Sequence, residues 1–215
     1  MSRILIIGGH GKVALRLEPQ LAERGDTVTA VIRNRDHESD IVATGATPLV
    51  ADVESFDVDQ LTNLLSGNDA VVWAAGAGGG DAARTWAVDR DAAIRSIDAA
   101  VAAGVRRYVM VSYFGAGPDH GVPEDDSFYA YAEAKAEADA HLRESGLDWT
   151  IVAPSALTLD EPTGKITVGG SGEQSVSRGD VATVIAAVLA EPATAGRTIE
   201  FTGGDTPIAE AITAG

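Results

Sequence analysis

Short apolar runs alternate with stretches of helical periodicity along most of the chain. The first run covers residues 4–7, and Val13 then begins a helical pattern that reaches about Arg24. An unbroken run of branched apolar residues is typical of a strand buried on both faces, as in a parallel sheet. Further strands are predicted at residues 27–32, 46–50, 70–73, 107–112, 148–153, 165–168 and 198–201. Further helices are predicted at residues 57–65, 84–103, 128–145 and 180–190, and Gly104 would end the second of these.

The alternation of these strands and helices predicts an α/β fold. We expect a Rossmann-type doubly wound parallel sheet with helices on both faces and a small C-terminal extension. No linker or internal repeat divides the chain, and its 215 residues suit one domain with a large core. The sequence therefore predicts a single domain over residues 1–215, in which a small extension on the substrate side begins at about residue 154.

A glycine-rich turn lies between the first strand and the first helix. Gly9, Gly11 and Ala14 satisfy the pattern G-x-G-x-x-A, and Gly8, Gly11 and Ala14 satisfy the wider G-x-x-G-x-x-A. One glycine permits a tight turn, Gly11 lets the backbone approach a pyrophosphate, and the small Ala14 allows close packing of helix on strand. The free N–H groups at the helix N-terminus favour an anion. Because a strand precedes the turn and a helix follows it, the sequence predicts a dinucleotide-binding site.

The end of the second predicted strand bears on the choice of dinucleotide. Sites that prefer NAD carry an acidic residue here, which bonds the ribose 2′-hydroxyl group. This chain instead has Arg33, followed two residues later by Arg35, and an arginine suits the 2′-phosphate of NADP. Asp36 and Glu38 follow closely, and an arginine in a turn is often only a solvated charge. We expect NADP as the cofactor, with NAD as the alternative.

A second glycine-rich turn follows the fourth predicted strand, at residues 74–80. Open α/β sheets bind their ligands at the carboxyl ends of their strands. Ala74, Ala75 and Gly76 are small enough to let a cofactor lie against the backbone. A flexible loop without a role would have the same composition, so the turn is a candidate for cofactor binding and no more.

The composition excludes several classes of site and partner. The chain has no cysteine, which excludes disulfides and thiol chemistry, and its four histidines lack metal-ligand spacing, so we expect no metal site. A formal net charge of −16 argues against binding to nucleic acid or to an anionic membrane. A dinucleotide is also an anion, and the cations placed to offset this field are Lys12, Arg33 and Arg35. With no signal peptide and no apolar run of membrane length, we expect a cytoplasmic protein.

Tyr131 and Lys135 are four residues apart and therefore share one face of a predicted helix. Together with Ser112, at the end of a predicted strand, they suit proton transfer to a carbonyl oxygen. The tyrosine would give the proton, the serine would bond the substrate oxygen, and the lysine would lower the tyrosine pKa and hold the nicotinamide ribose. A tyrosine and a lysine at this spacing are also common as a core ring and a solvated charge. Tyr113 and Tyr129 are competing candidates for the tyrosine role.

Several ordered motifs along nearly the whole chain resemble the short-chain dehydrogenase/reductase superfamily. They are IIGGHGKVA at the start, Asp52-Val53, AAGAG, VSYFGA, YAEAKAEAD, SGLDWTIVAPSALT, SRGDVA and the closing FTGGDTPI. The chain is most similar to the atypical, extended-like branch of NAD(P)-binding proteins, which is grouped with NmrA-like and flavin- or biliverdin-reductase-like proteins. This resemblance implies a Rossmann fold and an NAD(P) cofactor.

The resemblance also implies roles for individual residues. Those that it assigns to cofactor binding are Gly8, His10, Gly11, Lys12, Val13, Ala14, Arg33, Asp52, Val53, Ala74, Ala75, Gly76, Pro154, Ser155 and Ala156. Within this set, Asp52 and Val53 match the adenine contact, and Pro154 begins the segment beside the nicotinamide. The catalytic residues that it implies are Ser112, Tyr131 and Lys135, and Lys135 also contacts the cofactor.

These features lead to three hypotheses of function. The first is an NADP-dependent reductase of a small carbonyl, quinone or flavin-like acceptor, with residues 115–127 as a lid. The second is an NmrA-like sensor that binds NAD(P) and reports redox state without turnover. The third is a sugar-nucleotide epimerase or dehydratase, which normally has more substrate-binding chain than follows residue 154 here. We expect a monomer or homodimer that acts on a small-molecule substrate.

Overall fold

Residues 1–78 and 81–214 are described by a computed structural model of the chain. The strands are β1 (Arg3–Ile7), β2 (Thr27–Ile32), β3 (Thr47–Val50), β4 (Ala70–Trp73), β5 (Arg107–Val111), β6 (Asp148–Pro154), β7 (Leu157–Thr158), β8 (Lys165–Val168), β9 (Val176–Ser177), β10 (Arg197–Gly203) and β11 (Thr206–Pro207). The α-helices are α1 (Ala14–Glu23), α2 (Glu38–Ala43), α3 (Val58–Leu65), α4 (Ala82–Thr85), α5 (Ala93–Ala103), α6 (Tyr129–Glu144), α7 (Arg178–Ala190) and α8 (Ile208–Ala211). A π-helical segment, Trp86–Ala92, joins α4 to α5.

Nine of the strands form one sheet in the order β11-β8-β10-β6-β5-β4-β1-β2-β3. The strands from β10 to β3 in this order are parallel, whereas β8 pairs antiparallel with β10 and with β11. The chain leaves β3 at one edge and returns to form β4 beside β1, so the direction of winding reverses between β1 and β4. The predicted Rossmann-type α/β fold is confirmed, and the reversal is where such sheets bind dinucleotides.

Helices cover both faces of the sheet, and β1 shows how the sequence achieves this. Ile4 and Ile6 pack into the apolar core on one face, which includes residues of α1 and α7, while Leu5 and Ile7 pack into the core under α3 and α5. All four side chains are almost fully buried. An unbroken apolar run is needed because successive side chains of a strand point to opposite faces.

The predicted helix at residues 84–103 differs from the observed one. The helix begins at Ala82, because the Asp81 side chain caps its first turn by accepting hydrogen bonds from the N–H groups of Ala83 and Arg84. Its middle is a wider π-helical segment, which hydrophobic periodicity cannot distinguish from an α-helix. Gly104 ends the helix with φ of +72°, as predicted.

The remaining differences lie at the ends of elements and in short elements. Helices α2 and α8 and the two-residue strands were not predicted, since such short segments carry no periodic signal. Residues 154–215 supply β8, β10 and β11 to the main sheet. Within the described residues, no helix combines the length and the apolar character that crossing a bilayer requires.

Glu18 is a buried carboxyl group on α1 that makes the stability of the fold depend on pH. Its Oε2 accepts a hydrogen bond of 2.7 Å from the Thr44 hydroxyl, and burial raises its pKa from 4.5 to about 7. Between these two values the folded protein keeps a proton that the unfolded chain has lost, so the free energy of unfolding falls as pH rises through this interval. We expect Glu18→Gln to stabilise the protein by about 2 kcal/mol at about pH 8 and to change little at about pH 5.

Urea denaturation at both pH values checks this prediction. Glu23→Gln, which alters an exposed glutamate on the same helix, is the matched control and should behave like the parent at both. A Glu18→Gln effect of equal size at the two pH values would contradict the assignment, because the effect would then be independent of ionisation.

Candidate functional site

A cavity of about 370 Å³ opens at the carboxyl ends of β1, β2 and β4, where the winding of the sheet reverses. It is lined by the two glycine-rich turns and by the segments that follow β2 and β3. The lining residues are Ile7, Gly8, His10, Gly11, Val31, Ile32, Arg33, Asn34, His37, Ala51, Asp52, Val53, Glu54, Ala74, Ala75, Gly76, Arg84 and Val88. The structure therefore brings together the predicted glycine turn, the predicted adenine contacts and the predicted turn after β4.

The first glycine turn is packed so closely that side chains are excluded from it. Gly8 has φ of +89°, and a Cβ atom there would lie 2.6 Å from the Cα atom of Ala75. A Cβ atom on Gly9 would lie 2.7 Å from that of Ala30. The Gly11 N–H donates a hydrogen bond of 2.9 Å to the carbonyl of Gly8, which closes the turn. Gly8 and Gly9, which begin the two registers of the glycine pattern, are therefore both positions where a side chain would clash. Gly8 also packs directly against Ala75 of the second glycine turn.

The N-terminus of α1 follows this turn without a side-chain cap. Val13 holds the N-cap position and provides no side-chain hydrogen bond, while the N–H groups of Leu15 and Arg16 donate to the carbonyls of Gly11 and Val13. Lys12 is exposed, and its carbonyl accepts a hydrogen bond of 2.7 Å from Arg16. Neither Lys12 nor Val13 lines the cavity, whereas Gly8 and Gly11 do. The backbone of the turn, rather than the Lys12 side chain, is what the structure offers to a phosphate.

Two arginines that line the cavity flank one carboxylate. The guanidinium of Arg33 lies 3.7 Å from Glu54, and that of Arg84 lies 3.5 Å from the same carboxylate. Arg84 also donates a hydrogen bond of 2.7 Å to the carbonyl of Ala77. Arg35 does not line the cavity, because its side chain is exposed and lies 3.9 Å from Glu38. The cation that accompanies Arg33 is therefore Arg84, which the sequence analysis did not identify.

His10 and His37 form a further wall of the cavity. Their rings are stacked with centroids 3.6 Å apart, and Nε2 of His10 is 2.9 Å from a carboxylate oxygen of Asp40. His10 was predicted to be in the cofactor-binding loop. His37 was not, since it follows β2 in a short 3₁₀ turn that has no sequence motif.

The second glycine turn is held by Asp89, a buried residue of the π-helical segment. Its Oδ2 accepts a hydrogen bond of 2.9 Å from the N–H of Ala77, and a Cβ atom on Gly76 would lie 2.9 Å from its Oδ1. Burial raises the pKa of Asp89, and the hydrogen bond from Ala77 partly opposes this. The turn was predicted over residues 74–80, of which Gly79 and Gly80 lie outside the described residues.

Helix α6 carries two of the three predicted catalytic residues, and the third, Ser112, follows β5 directly. Tyr131, Lys135 and Asp139 are spaced four residues apart and form one stripe on this helix. The Lys135 ammonium donates a hydrogen bond of 2.7 Å to the carbonyl of Val111, the last residue of β5. The hydroxyl of Ser112, the next residue, donates one of 2.6 Å to Oδ2 of Asp139. Asp139 was not predicted, although its spacing from Lys135 is the signal that could have identified it.

The ring of Tyr131 packs against two other aromatic rings. The ring lies 5.6 Å from that of Tyr113, which follows Ser112 in the chain, and 5.2 Å from that of Phe128. Tyr113 and Phe128 also meet edge to face at 5.2 Å. The three rings form an aromatic wall beside Ser112. Neither Ser112, Tyr131 nor Lys135 lines the 370 Å³ cavity, whose lining includes the neighbouring turn after β4.

The predicted effect of Lys135 on Tyr131 is wrong. The Lys135 side chain is fully buried, and its ammonium is directed to the carbonyl of Val111. Burial raises the pKa of Tyr131 above its ordinary value, and the charges of Asp89 and Asp139 raise it further. The phenol is therefore neutral near pH 7 and is not activated as a phenolate by the lysine. A catalytic role for Tyr131 stays a prediction.

The segment predicted to lie beside the nicotinamide follows β6. The carbonyl of Pro154 accepts a hydrogen bond from the N–H of Phe114, so this segment is next to the residues that follow Ser112. The Ser155 hydroxyl donates to the carbonyl of Gln174, which ties the segment to the loop before β9. Pro154, Ser155 and Ala156 do not line the cavity.

In the described part of the chain, no cluster of three or more His, Asp or Glu side chains is arranged to hold a metal ion.

The NAD(P)H-binding family model matches residues 8–192 of the chain. YhfK of Bacillus subtilis (strain 168), an uncharacterized sugar epimerase by name, is 33% identical over 98% of this chain and 98% of its own. A solved structure from Bacillus halodurans, provisionally named an NAD-dependent epimerase/dehydratase, is 36% identical, has a TM-score of 0.91 and covers 99% of both chains. The oxidoreductase ylbE from Lactococcus lactis is 28% identical with a TM-score of 0.86, covering 99% of this chain and 95% of that one. The similarity extends over nearly the whole chain and includes both turns that line the cavity.

Proposed function

The chain belongs to the NAD(P)H-binding family, and from this premise we propose that it is an NADPH-preferring oxidoreductase that reduces a small carbonyl, quinone or flavin-like acceptor. The observation that carries the proposal is the position of the Ser112 hydroxyl. It lies at the end of β5, in the strand next to β4, and β4 ends in the turn that lines the dinucleotide cavity. A proton-bearing group would thus stand beside the nicotinamide of a dinucleotide bound in this cavity.

The residues of the cavity fit an NADP cofactor. The tight contact of Gly8 with Ala75 brings backbone, and not side chains, to the cofactor position. The uncapped N-terminus of α1 suits the pyrophosphate, and Arg33 with Arg84 suits the 2′-phosphate, since both are cations that line the cavity. When bound, the nicotinamide would supply the hydride. The preference for NADP over NAD belongs to the proposal.

The chain's own groups would then orient and protonate the acceptor. The Ser112 hydroxyl would bond the acceptor oxygen, and the aromatic wall of Tyr113, Phe128 and Tyr131 would limit access of water. Lys135 would hold the end of β5 in place through its bond to Val111. Residues 115–127 are retained as the proposed lid, because they link Tyr113 to Phe128, two members of this wall.

The test is consumption of NADPH with a panel of quinones, flavins and aldehydes, compared between the parent, Ser112→Ala and Ser66→Ala. Ser66 is an exposed serine at the end of α3 and serves as the matched control. We expect at least one acceptor to support consumption, and we expect Ser112→Ala to lower kcat about 10- to 100-fold while NADPH still binds. Tight binding of NADPH without consumption of any acceptor would favour the redox sensor instead.

The second candidate is a sugar-nucleotide epimerase, which the name of YhfK as a sugar epimerase favours. An epimerase of this kind returns the hydride to its own substrate, so it interconverts two sugars without net consumption of the cofactor. Incubation with sugar nucleotides and NADP or NAD, followed by separation of the epimers, distinguishes the two activities. Formation of an epimer with no acceptor-dependent NADPH consumption would replace our proposal.

A further inference from the structure

Asp139 is a buried carboxyl group beside the serine that we propose to bind the substrate. Its side chain has no exposed surface, and Ser112 is only 4% exposed. Oδ2 accepts the 2.6 Å hydrogen bond from Ser112, whereas Oδ1 has no hydrogen-bond partner within the described residues. A buried carboxylate is stable only when hydrogen bonds or an ion pair compensate for the lost water. Asp139 has a single hydrogen bond, so burial raises its pKa above the ordinary value of an aspartate.

The surrounding charges do not change this conclusion. The ion pairs found in residues 1–78 and 81–214 do not include Asp139, and the ammonium of Lys135 is directed to the carbonyl of Val111. Burial raises the pKa of Asp139, and Lys135, the Ser112 hydroxyl and Arg143 offset that rise only in part. The other titratable groups that respond to its charge are Tyr113 and Tyr131.

The protonation state of Asp139 determines what Ser112 can do. A serine hydroxyl has one proton to donate. When Asp139 is ionised, Ser112 gives that proton to Oδ2 and can only accept hydrogen bonds from a substrate. When Asp139 is protonated, the carboxyl group donates to the Ser112 oxygen, and the Ser112 proton is free to point at a substrate oxygen. A substrate carbonyl needs the second arrangement, since its oxygen is an acceptor.

We propose that Asp139 holds the proton that the reduction consumes and delivers it through Ser112, an inference that rests on the proposed reductase function. As hydride is added to the carbonyl carbon, the electron pair of the C=O π bond moves to the oxygen. That oxygen takes the Ser112 proton, and the Ser112 oxygen takes the proton of Asp139. The products are the alcohol, the oxidised cofactor and a carboxylate at Asp139, which regains one proton from water before the next turnover. Ser112 is the catalytic residue, and Asp139 acts through it as a positioning residue.

The first arm of the test needs no turnover. Protein carrying ¹³C in its aspartate carboxyl carbons is titrated by NMR, and Asp139→Asn identifies the Asp139 resonance by its loss. We expect the Asp139 carboxyl group to be protonated at about pH 7, while exposed aspartates are ionised. An ionised Asp139 at this pH would overturn the proposal, whatever the activity of the protein.

The second arm compares the kinetics of matched variants. Asp139→Asn keeps a donor for the Ser112 oxygen but has no proton to release, and Asp59→Asn makes the same change at an exposed position on α3. We expect Asp139→Asn to lower kcat about 100-fold with NADPH binding unchanged, and Asp59→Asn to behave like the parent. In the parent, kcat should fall as pH rises through the pKa of Asp139. The residual kcat of Asp139→Asn should not show this fall.

The remaining outcomes separate the relay from the reductase function. Parent-like turnover of Asp139→Asn would overturn the relay while leaving the reductase function intact. A collapse of kcat in Tyr131→Phe together with parent-like Asp139→Asn would make Tyr131 the proton donor. If none of the acceptors supports NADPH consumption by the parent protein, this result would contradict the reductase function, and the relay with it.

Discussion

Replacing Gly8 with alanine is expected to abolish NAD(P)H binding and to lower the free energy of unfolding by about 3 kcal/mol. Two costs add at this position. The backbone has φ of +89°, which L side chains rarely adopt, and the new Cβ atom would lie 2.6 Å from both N and Cα of Ala75. The atoms in the way belong to the backbone of the second glycine turn, so they cannot rotate aside. Relief would require the two turns to separate, and this would deform the cavity between them.

Gly25→Ala is the matched control for this prediction. Gly25 follows α1 with the same φ of +89°, but a Cβ atom there would meet nothing within 4 Å. It should therefore show only the conformational cost, about 1 kcal/mol, and should bind NADPH as the parent does. Urea denaturation and titration of NADPH fluorescence measure the two quantities. Equal losses in both variants would mean that contact with Ala75 contributes nothing.

Arg33→Ala is expected to weaken NADPH binding about 100-fold and to leave NADH binding unchanged. The Arg33 side chain is exposed and lines the cavity, where it would make charge-assisted hydrogen bonds to the 2′-phosphate of a bound NADPH. NADH has a hydroxyl group at that position and would lose little. The same titration with each dinucleotide measures both dissociation constants.

Two further variants make this test specific. Arg35→Ala removes the same charge from a side chain that does not line the cavity, so it should have almost no effect on either cofactor. Glu54→Gln should strengthen NADPH binding, because Glu54 is the carboxylate that competes for Arg33 and Arg84. If Arg33→Ala weakened NADH and NADPH equally, Arg33 would contact a part common to both, and our proposed preference would fail.

The candidate site could be predicted from sequence wherever a short segment carries the whole signal. Gly8 and the turn at Ala74 each follow a buried strand directly, Gly11 belongs to the turn that Gly8 begins, and a parallel sheet places the ends of its strands along one edge. Arg84 could not be assigned in this way. It lies on α4, far from Arg33 and Glu54 in the sequence, and only folding brings its guanidinium within 3.5 Å of the Glu54 carboxylate.

The proposed catalytic residues also combine features that the local sequence predicts with contacts that only folding creates. The spacing of Tyr131 and Lys135 predicted correctly that they share a face of one helix. It could not show that the Lys135 ammonium turns to the carbonyl of Val111, or that Asp139 meets Ser112 across 27 positions of the chain. Those contacts depend on how α6 lies beside β5, which no local pattern encodes.

The sequence by itself determined the fold class, the glycine-rich turn and the helix that carries the proposed catalytic stripe. These follow from hydrophobic periodicity, from the steric freedom of glycine and from helical spacing, all of which act over a few residues. Only the tertiary structure decided that Arg84 joins Arg33 in lining the cavity and that Asp139 lies beside Ser112. Burial raises the pKa of Asp139, because removing water penalises a charge according to everything that surrounds it. Since that environment is assembled from distant segments, the proton chemistry of the site appears only when the chain is folded.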